Sequence, residues 1–597
     1  MLNARLYRAA LVPFLLALAI AAFSLGSRPL PLSSTLAPDA FEGRRAFVEM
    51  QALAARYPDR RPGSAADQML AEEIATTLRG LGGAAAGGFS VRTEHLEGQT
   101  IDGERSLTNV IAQRPGSTNA APVVIVAHRD AAARGSEAEL SGTAVLLELA
   151  RVFAARETKR TIVLVSTSGG SGGDAGASAL AASLHGAADG AIVVGDVAAA
   201  HVSRPEVVPF SDAFGAAPLA LARTASDAIT HELGADPGAP SALGQLAHLA
   251  LPLAAGEQGV LNAAGVPSVL VQASGERGPK LGEPVSAERV EGLGRAVLNT
   301  VDALDAAPDV SSAMQTGLVL QRKTLPLWAV QLLAGTLLLA PLAAAADGLA
   351  RMRRRRTPIG RWTLWALSCA LPFLSCALFA FLLGALGILS AAPAVLALPS
   401  AMPFDGTAAT VVGAVALSFV LAWLLWAMLV RRLHWGVRPD PEVAGLAIVL
   451  VLLPVAIVVL LSDPFTALLL LPALHLWLLL ASPELRPRRA GSIALVVAGL
   501  LPVSLLILFY AHQLGLGVGG VAWTAVLLLA GGHIGLGGAL LWSVALGCAA
   551  AAAMLAVRPR LASAGPQAAD GVEVTIRGPM SYAGPGSLGG TESALRR

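Results

Sequence analysis

The chain has 597 residues, of which 54% are hydrophobic and 14% are charged. This balance is too apolar for an ordinary soluble protein and indicates several membrane-spanning helices. The formal net charge of +2 gives no reason to expect a nucleic-acid partner. The cysteines Cys369, Cys376 and Cys548 all lie in apolar runs, so the polar part of the chain has neither a disulfide nor a thiolate metal ligand.

The first apolar run, at residues 11–25, follows Arg5 and Arg8 and precedes Arg28. The run is typical of a signal peptide or of an uncleaved signal anchor. No small-residue cleavage site directly follows it, which favours the anchor. Basic residues ahead of the run place its amino end in the cytoplasm. We therefore expect residues 1–37 to form a cytoplasmic start and a membrane anchor, and the next segment to be extracytoplasmic.

The long polar segment at residues 38–310 alternates between helix-like and strand-like patterns. Helices are predicted at 41–57 and 65–81 from their apolar spacing and their flanking turn residues. Short apolar runs predict strands at 109–111, 123–127, 161–165, 191–197 and 268–272. This alternation predicts an α/β domain with a mostly parallel sheet that is flanked by helices on both faces.

The stretch around residues 123–151 organises this domain. His128 and Asp130 directly follow the strand at 123–127, and Ser141-Gly142 then begin an amphipathic helix. Open α/β sheets place their sites outside the carboxyl ends of the strands. A histidine and a carboxylate at that edge suit a metal such as zinc.

These residues carry a resemblance to a known family. His128-Arg129-Asp130 and the segment from Ser141 to Arg151 resemble the core of metallopeptidase family 28, the co-catalytic di-zinc aminopeptidases. The resemblance covers roughly residues 41–306 and implies a zinc-exopeptidase-like fold. In this family each zinc takes a terminal histidine, a terminal carboxylate and a shared bridging aspartate, and a glutamate acts as general base for the zinc-bound water.

The resemblance assigns roles to His128, Asp196 and Asp130. It makes His128 and Asp196 a remnant ligand pair of one zinc, and Asp130 the remnant aspartate that orients the histidine. Each residue also has an ordinary structural interpretation. His128 would be satisfied by backbone groups at the strand end, Asp130 would cap a turn, and Asp196 would cap a helix. Because catalytic zinc sites normally have three protein ligands, we expect this pair to bind zinc at low occupancy or not at all.

Other positions depart from the family pattern. Ala138 stands at the bridging aspartate, and its neighbours Glu137 and Glu139 are either solvated loop charges or, after a one-residue slip, an inward-facing ligand. Gly170 and Ser171 stand at the glutamate pair, so the general base is missing. No catalytic residue of the family is therefore intact.

The later motifs are also changed. Asp174 is interpreted as a helix-entry cap, and the Gly-rich loop at 168–174 as a weak candidate for an anion cradle of backbone amides. Glu257-Gln258 stand at the family's late aspartate-histidine motif. No histidine occurs at 275–282, where the last zinc ligand is expected.

The second half of the chain, residues 311–560, is predicted to be an all-α polytopic membrane domain with about seven spans. The spans are predicted at 325–345, 362–389, 408–430, 444–461, 466–480, 492–511 and 537–557. Arginine clusters at 351–356, 431–432, 486–489 and 558–560 fall at every second loop, which indicates eight spans with the anchor and two cytoplasmic termini. Residues 521–529 fit a re-entrant or interfacial helix or an extra span, and the tail at 561–597 is predicted to be disordered.

Three of the histidines outside the family motifs are candidates for a role in the core or in the membrane domain. His248 is interpreted as a core residue because it occurs in an apolar helix-like run. His475 and His533 lie in or beside predicted spans, where ionisable groups are functional hypotheses. They occur in no transporter motif, so a transporter with an accessory domain is the weakest of the functional hypotheses.

The favoured hypothesis is a multi-pass membrane protein with an inactive family 28-like domain outside the cytoplasm. Its architecture resembles the branch of the family that includes the endoplasmic-reticulum metallopeptidase and the vacuolar membrane protease. Its partners would be the lipid bilayer and a peptide or protein in the former substrate cleft, not nucleic acid. The alternative is an active zinc aminopeptidase with relocated ligands.

Overall fold

The computed structural model describes residues 4–81, 88–200, 204–238, 240–308, 313–389, 391–433, 441–480 and 488–557. The predicted disordered tail lies outside these residues. The helices are α1 (Ala4–Phe23), α2 (Gly43–Arg56), α3 (Ala65–Gly80), α4 (Ser141–Ala154), α5 (Ala175–Leu184), α6 (Leu219–Leu233), α7 (Ala242–Ala250), α8 (Gln258–Ala263), α9 (Ala287–Ala306), α10 (Leu327–Arg354), α11 (Ile359–Ser368), α12 (Leu371–Ala385), α13 (Gly406–Arg432), α14 (Pro441–Ser462), α15 (Pro464–Leu480), α16 (Arg489–Gln513), α17 (Val518–Ala530) and α18 (Leu536–Val557). The strands are β1 (Gly26–Ser27), β2 (Ser90–Thr100), β3 (Gly103–Arg114), β4 (Val123–His128), β5 (Ile162–Thr167), β6 (Gly190–Val194), β7 (Glu206–Val208), β8 (Ser268–Gln272), β9 (Leu318–Val319) and β10 (Lys323–Leu325).

Within the described residues, seven strands form one sheet in the order β2-β3-β5-β4-β6-β8-β7. The central neighbours β5, β4, β6 and β8 run parallel, whereas β2, β3 and β7 join them antiparallel. The predicted α/β class is therefore confirmed, with a parallel sheet at its centre. Strands β2 and β7 were not predicted, and they lie at the two edges of the sheet.

The central strands are apolar on both sides because helices cover both faces of the sheet. On β4, Val123, Ile125 and Ala127 join a core that includes residues of α2, α3, α4, α6 and α9. The alternating residues Val124 and Val126 join a second core with residues of α5 and α8. His128 continues this second set by the two-residue period of a strand.

The start of α4 is fixed tightly against the end of β6. A Cβ atom on Gly142 would lie 2.1 Å from the carbonyl oxygen of Val194, so a side chain there has no room. The hydroxyl of Ser141 accepts a hydrogen bond from the Val197 backbone N–H at 2.8 Å and donates one to the Ala138 carbonyl at 2.5 Å. Ser141-Gly142 therefore join α4 to the carboxyl edge of the sheet.

A fully buried guanidinium organises the same edge. Arg129 donates to the carbonyl oxygens of Ser166, Thr167 and Thr108 at 3.2, 3.1 and 2.6 Å, and its Nε lies 2.9 Å from a carboxylate oxygen of Asp67. Both side chains of this ion pair have 0% exposure. The pair therefore holds the middle of β3 and the end of β5 against the first turn of α3.

The second half of the chain is helical and apolar. Among the described residues, seven helices are long and apolar enough to cross a membrane: Arg5–Phe23, Leu327–Arg354, Ile359–Ala385, Gly406–Arg432, Glu442–Ser462, Arg489–Gln513 and Leu536–Val557. Helix α15, predicted as a span, has 17 residues, and α17, at the ambiguous segment 521–529, has 13. The span predicted at 362–389 is divided into α11 and α12. The chain is thus a multi-pass membrane protein by length and composition.

The α/β domain is joined to this helical bundle at the end of α7. The last carbonyl groups of a helix have no partner within the helix and need donors from elsewhere. Side chains of the bundle hydrogen-bond to three successive carbonyl oxygens, at the last residue of α7 and at the two residues after it. The pairs are Thr466 with Ala250, Tyr510 with Leu251 at 2.6 Å and His533 with Pro252 at 3.0 Å.

Replacing Arg129 tests the buried ion pair. We expect Arg129→Leu to destabilise the α/β domain by about 3–5 kcal/mol, because it leaves the Asp67 carboxylate uncompensated in the interior. The half-exposed Arg92, 3.8 Å from Glu94, supplies a matched control. Arg92→Leu should cost less than about 1 kcal/mol. Thermal unfolding of the full chain in detergent would measure both, and equal shifts would contradict the organising role of Arg129.

Candidate functional site

The predicted site residues follow adjacent strands of the sheet. His128 ends β4, the loop at 168–174 follows β5, and Asp196 lies two residues beyond β6. Strands β5 and β6 flank β4 on either side, with parallel pairing on both. The carboxyl ends of parallel strands meet at one edge, so the structure confirms that these segments share an edge of the sheet.

Asp130 binds the Gly-rich loop. Its Oδ1 accepts hydrogen bonds from the backbone N–H groups of Gly169 and Gly170 at 2.9 and 3.1 Å, and its Oδ2 accepts one from Ser171 at 2.9 Å. The loop is therefore an amide cradle for an anion, and the anion is the chain's own carboxylate. This arrangement gives Asp130 the role of a turn-capping residue in the loop after β5.

Gly170 contacts His128 so closely that no side chain fits between them. A Cβ atom on Gly170 would lie 2.4 Å from the Cβ of His128 and 3.1 Å from the carboxyl carbon of Glu257. The glutamate of the resembling family would stand at this position. Here the carboxyl group of a third residue, Glu257, lies next to the position that such a side chain would occupy.

Glu257 was not assigned a role from the sequence. It is 1% exposed, and its Oε1 accepts a hydrogen bond from the Thr167 hydroxyl. Burial, with a smaller contribution from the nearby Asp130 carboxylate, raises the pKa of Glu257 to about 8, against the lowering effect of the Thr167 hydrogen bond. At neutral pH this side chain is therefore mostly a protonated carboxylic acid. Burial also lowers the pKa of His128, so its imidazole is neutral.

Glu139 also faces inward, so the simpler interpretation of this residue as a solvated loop charge is wrong. A short 3-10 turn, Ala138–Leu140, buries it to 7% exposure. Burial raises its pKa to about 7, against the opposing effect of the Arg60 guanidinium. The negative charges of Asp130 and Asp196 act in the same direction as burial, so Glu139 lies near both of these predicted site residues. Glu137 is half-buried.

Asp196 is held by backbone groups. Its Oδ1 accepts hydrogen bonds from the N–H groups of Ala198 and Ala199 at 2.9 and 3.1 Å. Burial raises its pKa to about 6. These contacts make Asp196 the cap of a turn, and they leave its Oδ2 without a hydrogen-bond donor among the described residues.

Two further carboxyl groups extend the site beyond the predicted residues. Asp174 begins α5 in a left-handed conformation, with φ of 48°, and its side chain makes no capping hydrogen bond. Asp174 therefore stands at the predicted cap position, but its side chain does not supply the capping hydrogen bond. Burial, followed by the charges of Glu257 and Asp212, raises its pKa well above the ordinary value. Burial raises the pKa of Asp212 to about 7.

The donor set does not fit zinc. In the part of the chain that the structure describes, no group of three His, Cys, Asp or Glu side chains is arranged to hold a metal ion. Asp130 is committed to backbone amides, and Asp196 uses one oxygen in the same way. No reaction step through a metal follows from this arrangement.

His248, His475 and His533 each lie within hydrogen-bond distance of a backbone carbonyl group. His248 is confirmed as a core residue: it is 2% exposed, stacks on Phe210 at 3.9 Å and pairs with Glu276 at 3.1 Å. His475 lies 3.2 Å from the Leu337 carbonyl oxygen. His533 lies in the junction with the α/β domain, as described above.

Sequence reasoning missed Glu257, Asp174 and Asp212 as parts of one acidic cluster. Position in the chain gave a partial signal for Glu257, because it stands at the late acidic motif. The sequence contained no comparable signal for Asp212, which follows the short edge strand β7. Its proximity to the site depends on how α8 packs beside that strand.

Comparisons with known proteins agree with the resemblance. Residues 109–237 match the model of Peptidase family M28, so the predicted resemblance is confirmed. No curated protein sequence is significantly similar to the chain. Solved structures that resemble it include a zinc aminopeptidase from Bacillus subtilis (13% identity, 45% of this chain and 99% of that one, TM-score 0.35). Others are LapB from Legionella pneumophila (14%, 48% and 79%, 0.37) and glutaminyl cyclase from Porphyromonas gingivalis (17%, 44% and 99%, 0.32).

The raised pKa of Glu257 predicts an unusual pH dependence of stability. A carboxyl group whose pKa is about 8 in the folded chain, against an ordinary 4.5, binds more protons in the folded state. The contribution of Glu257 to the free energy of unfolding is therefore fully present below about pH 4.5. This contribution is lost as pH rises through 8, by up to about 1.4 kcal/mol per pH unit. Glu257→Gln should remove this term and raise the melting temperature at pH 8 but not at pH 5.

Thermal unfolding of the full chain in detergent at both pH values would measure this difference. Glu97→Gln, at an exposed position of β2, is the control and should leave the pH dependence unchanged. An equal effect of Glu257→Gln at pH 5 and pH 8 would contradict the prediction.

Proposed function

We propose that this chain, whose residues 109–237 match peptidase family M28, is a membrane protein whose α/β domain binds a peptide or protein without hydrolysing it. The binding site would be the carboxyl edge of the sheet, around His128, Glu139, Asp196 and Glu257. The bilayer would hold the domain at the membrane surface. Zinc would be absent or bound at low occupancy.

The contact between Gly170 and His128 carries the proposal that hydrolysis is absent. At this position the resembling family has the glutamate that activates water. Here the space for such a side chain is taken by the His128 Cβ at 2.4 Å and by the Glu257 carboxyl group. Glu257 itself is a weak base for this purpose, because the raised pKa leaves it protonated at neutral pH.

The proposal of binding is supported by buried acceptor atoms. Glu139 Oε2 and Asp196 Oδ2 are buried and have no hydrogen-bond partner among the described residues. A buried acceptor without a donor costs about 1–3 kcal/mol. A ligand that brings N–H donors would recover this energy, and the amino terminus and amide groups of a peptide are donors of this kind.

The alternative function is an active aminopeptidase with relocated ligands. Glu139 supports it, because this side chain has turned inward beside Asp196 and keeps a free oxygen. In this alternative Glu139 would replace the bridging aspartate that is missing at Ala138. The two proposals differ in whether Glu139 is needed for turnover or for binding.

We also propose the topology that the arginine clusters indicate. Residues 38–310 would be extracytoplasmic, between an anchor within residues 1–37 and the membrane domain at 311–560. The cluster at 351–356 would then be cytoplasmic.

Reporter fusions would test the topology. A reporter that is active in the cytoplasm should work when fused after Arg356 and fail when inserted at the exposed Asp236 of the α/β domain. A reporter that needs an oxidising, extracytoplasmic compartment should give the opposite result at both positions. Cytoplasmic activity at Asp236 would refute the proposed orientation.

Hydrolysis assays on the purified full chain would test the proposed inactivity. We expect no cleavage of aminoacyl or dipeptide substrates with zinc added, because a missing general base typically costs 10²–10⁴-fold by itself. Gly170→Glu should not restore turnover, because it displaces His128. Peptide binding, measured by calorimetry, should be detected in the parent chain and should be weaker in Glu139→Gln.

Chelator-sensitive turnover that both His128→Ala and Glu139→Gln abolish would establish the alternative. Binding without turnover would support the proposed function. If the chain showed neither peptide binding nor turnover, the proposed function and the alternative would both be refuted.

A further inference from the structure

A cavity of about 390 Å³ lies beside the edge strand β7 of the α/β domain. Residues of β7, α6, α7 and β9 line it, together with Arg28, which directly follows β1. Its volume falls within the range of small-molecule sites, about 300–1,000 Å³. The described residues that line it include none of His128, Glu139, Asp196 and Glu257, so it is separate from the candidate site.

The three-stranded sheet of β1, β10 and β9 connects this cavity to two helices that are long and apolar enough to cross a membrane. Strand β1 begins three residues after α1 ends, and β10 ends two residues before α10 begins. Thr324 of β10 pairs with Gly26 on one side and with Val319, in the cavity wall, on the other.

The start of α10 marks the level of the lipid head groups. Trp328, 49% exposed in the first turn of this helix, is of a residue type that is enriched at membrane–water interfaces. Thr324 is four residues from Trp328, which is at most about 14 Å of extended chain. Val319 lies on the neighbouring strand, about 5 Å farther. The cavity wall is therefore within reach of the head groups of a bilayer.

Two arginine side chains line the cavity without a carboxylate partner. Arg28 donates to the Gln321 carbonyl oxygen at 2.6 Å, and Arg223 donates to the Pro29 carbonyl oxygen. In the described part of the chain, neither guanidinium forms an ion pair with Asp or Glu. Burial, followed by the positive charge of Arg223, lowers the pKa of Arg28, so the two cations lie close together. An anion between them would remove this repulsion, and the guanidinium fork matches the oxygens of a phosphate.

Two aspartates line the same cavity and restrict the choice of anion. Asp236 is used locally, because its Oδ1 accepts a hydrogen bond from the Gly238 N–H at 2.8 Å. Asp227 is exposed and lies one helical turn beyond Arg223 on α6. A ligand with negative charge alone would be attracted by Arg223 and repelled by Asp227. A ligand that carries both a phosphate and an ammonium group complements both side chains.

The spacing of these charges suits a short zwitterion. Residues four apart on a helix have Cβ atoms about 5–6 Å apart. In phosphoethanolamine two methylene groups separate the phosphate oxygen from the ammonium nitrogen, so the two charges can span one helical turn. Its ammonium group also has N–H donors for a charge-assisted hydrogen bond to a carboxylate, which a choline group lacks.

We propose that this cavity binds the phosphoethanolamine head group of a membrane phospholipid. The phosphate lies between Arg28 and Arg223, and the ammonium group donates to Asp227. The acyl chains stay in the bilayer beside the ends of α1 and α10. This site does not depend on whether the α/β domain binds or cleaves a peptide.

Charge-removing variants and matched controls are available on the surface of the α/β domain. Arg223→Gln removes one phosphate contact, and Asp227→Asn removes the acceptor for the ammonium group. Arg44 on α2 and Glu72 on α3 are exposed and do not line the cavity. Arg44→Gln and Glu72→Gln are therefore the controls for the loss of a positive and of a negative surface charge.

The test uses the full chain in nanodiscs with equal amounts of phosphatidylethanolamine, phosphatidylcholine and phosphatidylglycerol. Lipids that stay bound after transfer into detergent are measured by native mass spectrometry. We expect phosphatidylethanolamine to be retained about tenfold over the other two lipids. Arg223→Gln should lower its retention about tenfold, Asp227→Asn should remove the preference over phosphatidylcholine, and both controls should match the parent chain.

Thermal unfolding in detergent without added lipid checks that all four variants are folded. Retention of phosphatidylethanolamine that Arg223→Gln leaves unchanged would overturn the site. Equal retention of the three lipids by the parent chain would overturn the head-group assignment. Glycerophosphoethanolamine, which has the same head group without acyl chains, tests the source of the ligand. If it displaced the bound lipid at an equal concentration, the membrane would be overturned as that source.

Discussion

The carboxyl edge of the sheet depends on one buried cation. Arg129 joins carbonyl oxygens in the middle of β3 and at the end of β5, and it pairs with Asp67 at the start of α3. Its own carbonyl oxygen accepts a hydrogen bond from the buried Arg60 at 3.0 Å. A buried ion pair is stable when further hydrogen bonds satisfy both partners, and here backbone groups supply them. The residues on either side, His128 and Asp130, are positioned as a consequence.

The same edge gathers several carboxyl groups, and their protein surroundings stabilise each of them. Backbone N–H groups donate hydrogen bonds to Asp130 and to one oxygen of Asp196. Burial favours the protonated, uncharged forms of Glu257 and Glu139. Each device lowers the cost of placing an acid in the interior. The carboxyl group of Glu257 lies against Gly170, which has no room for a side chain.

The α/β domain and the bundle meet at a helix end. The carbonyl groups after α7 are satisfied by Thr466, Tyr510 and His533, which belong to different parts of the bundle. A few residues farther along the chain, Glu257 reaches the candidate site. The segment that the bundle holds therefore leads directly into the acidic cluster. Since Asp212 binds the Ala254 N–H between them, the junction and the candidate site share one short stretch of backbone.

The sequence determined the elements that are set by local pattern. The strands β4 and β8, the start of α4 at Ser141 and most membrane helices follow from apolar runs and from cap residues, which act over a few residues. The polar edge strand β2 has no such run, and β7 is too short to give one, so neither was predicted. Tertiary structure alone decided that Glu139 turns inward, that Asp130 binds the Gly-rich loop and that Glu257 meets Gly170. These contacts join residues 39 to 87 positions apart, and burial and backbone approach at such separations are fixed by packing between elements, which no local pattern encodes.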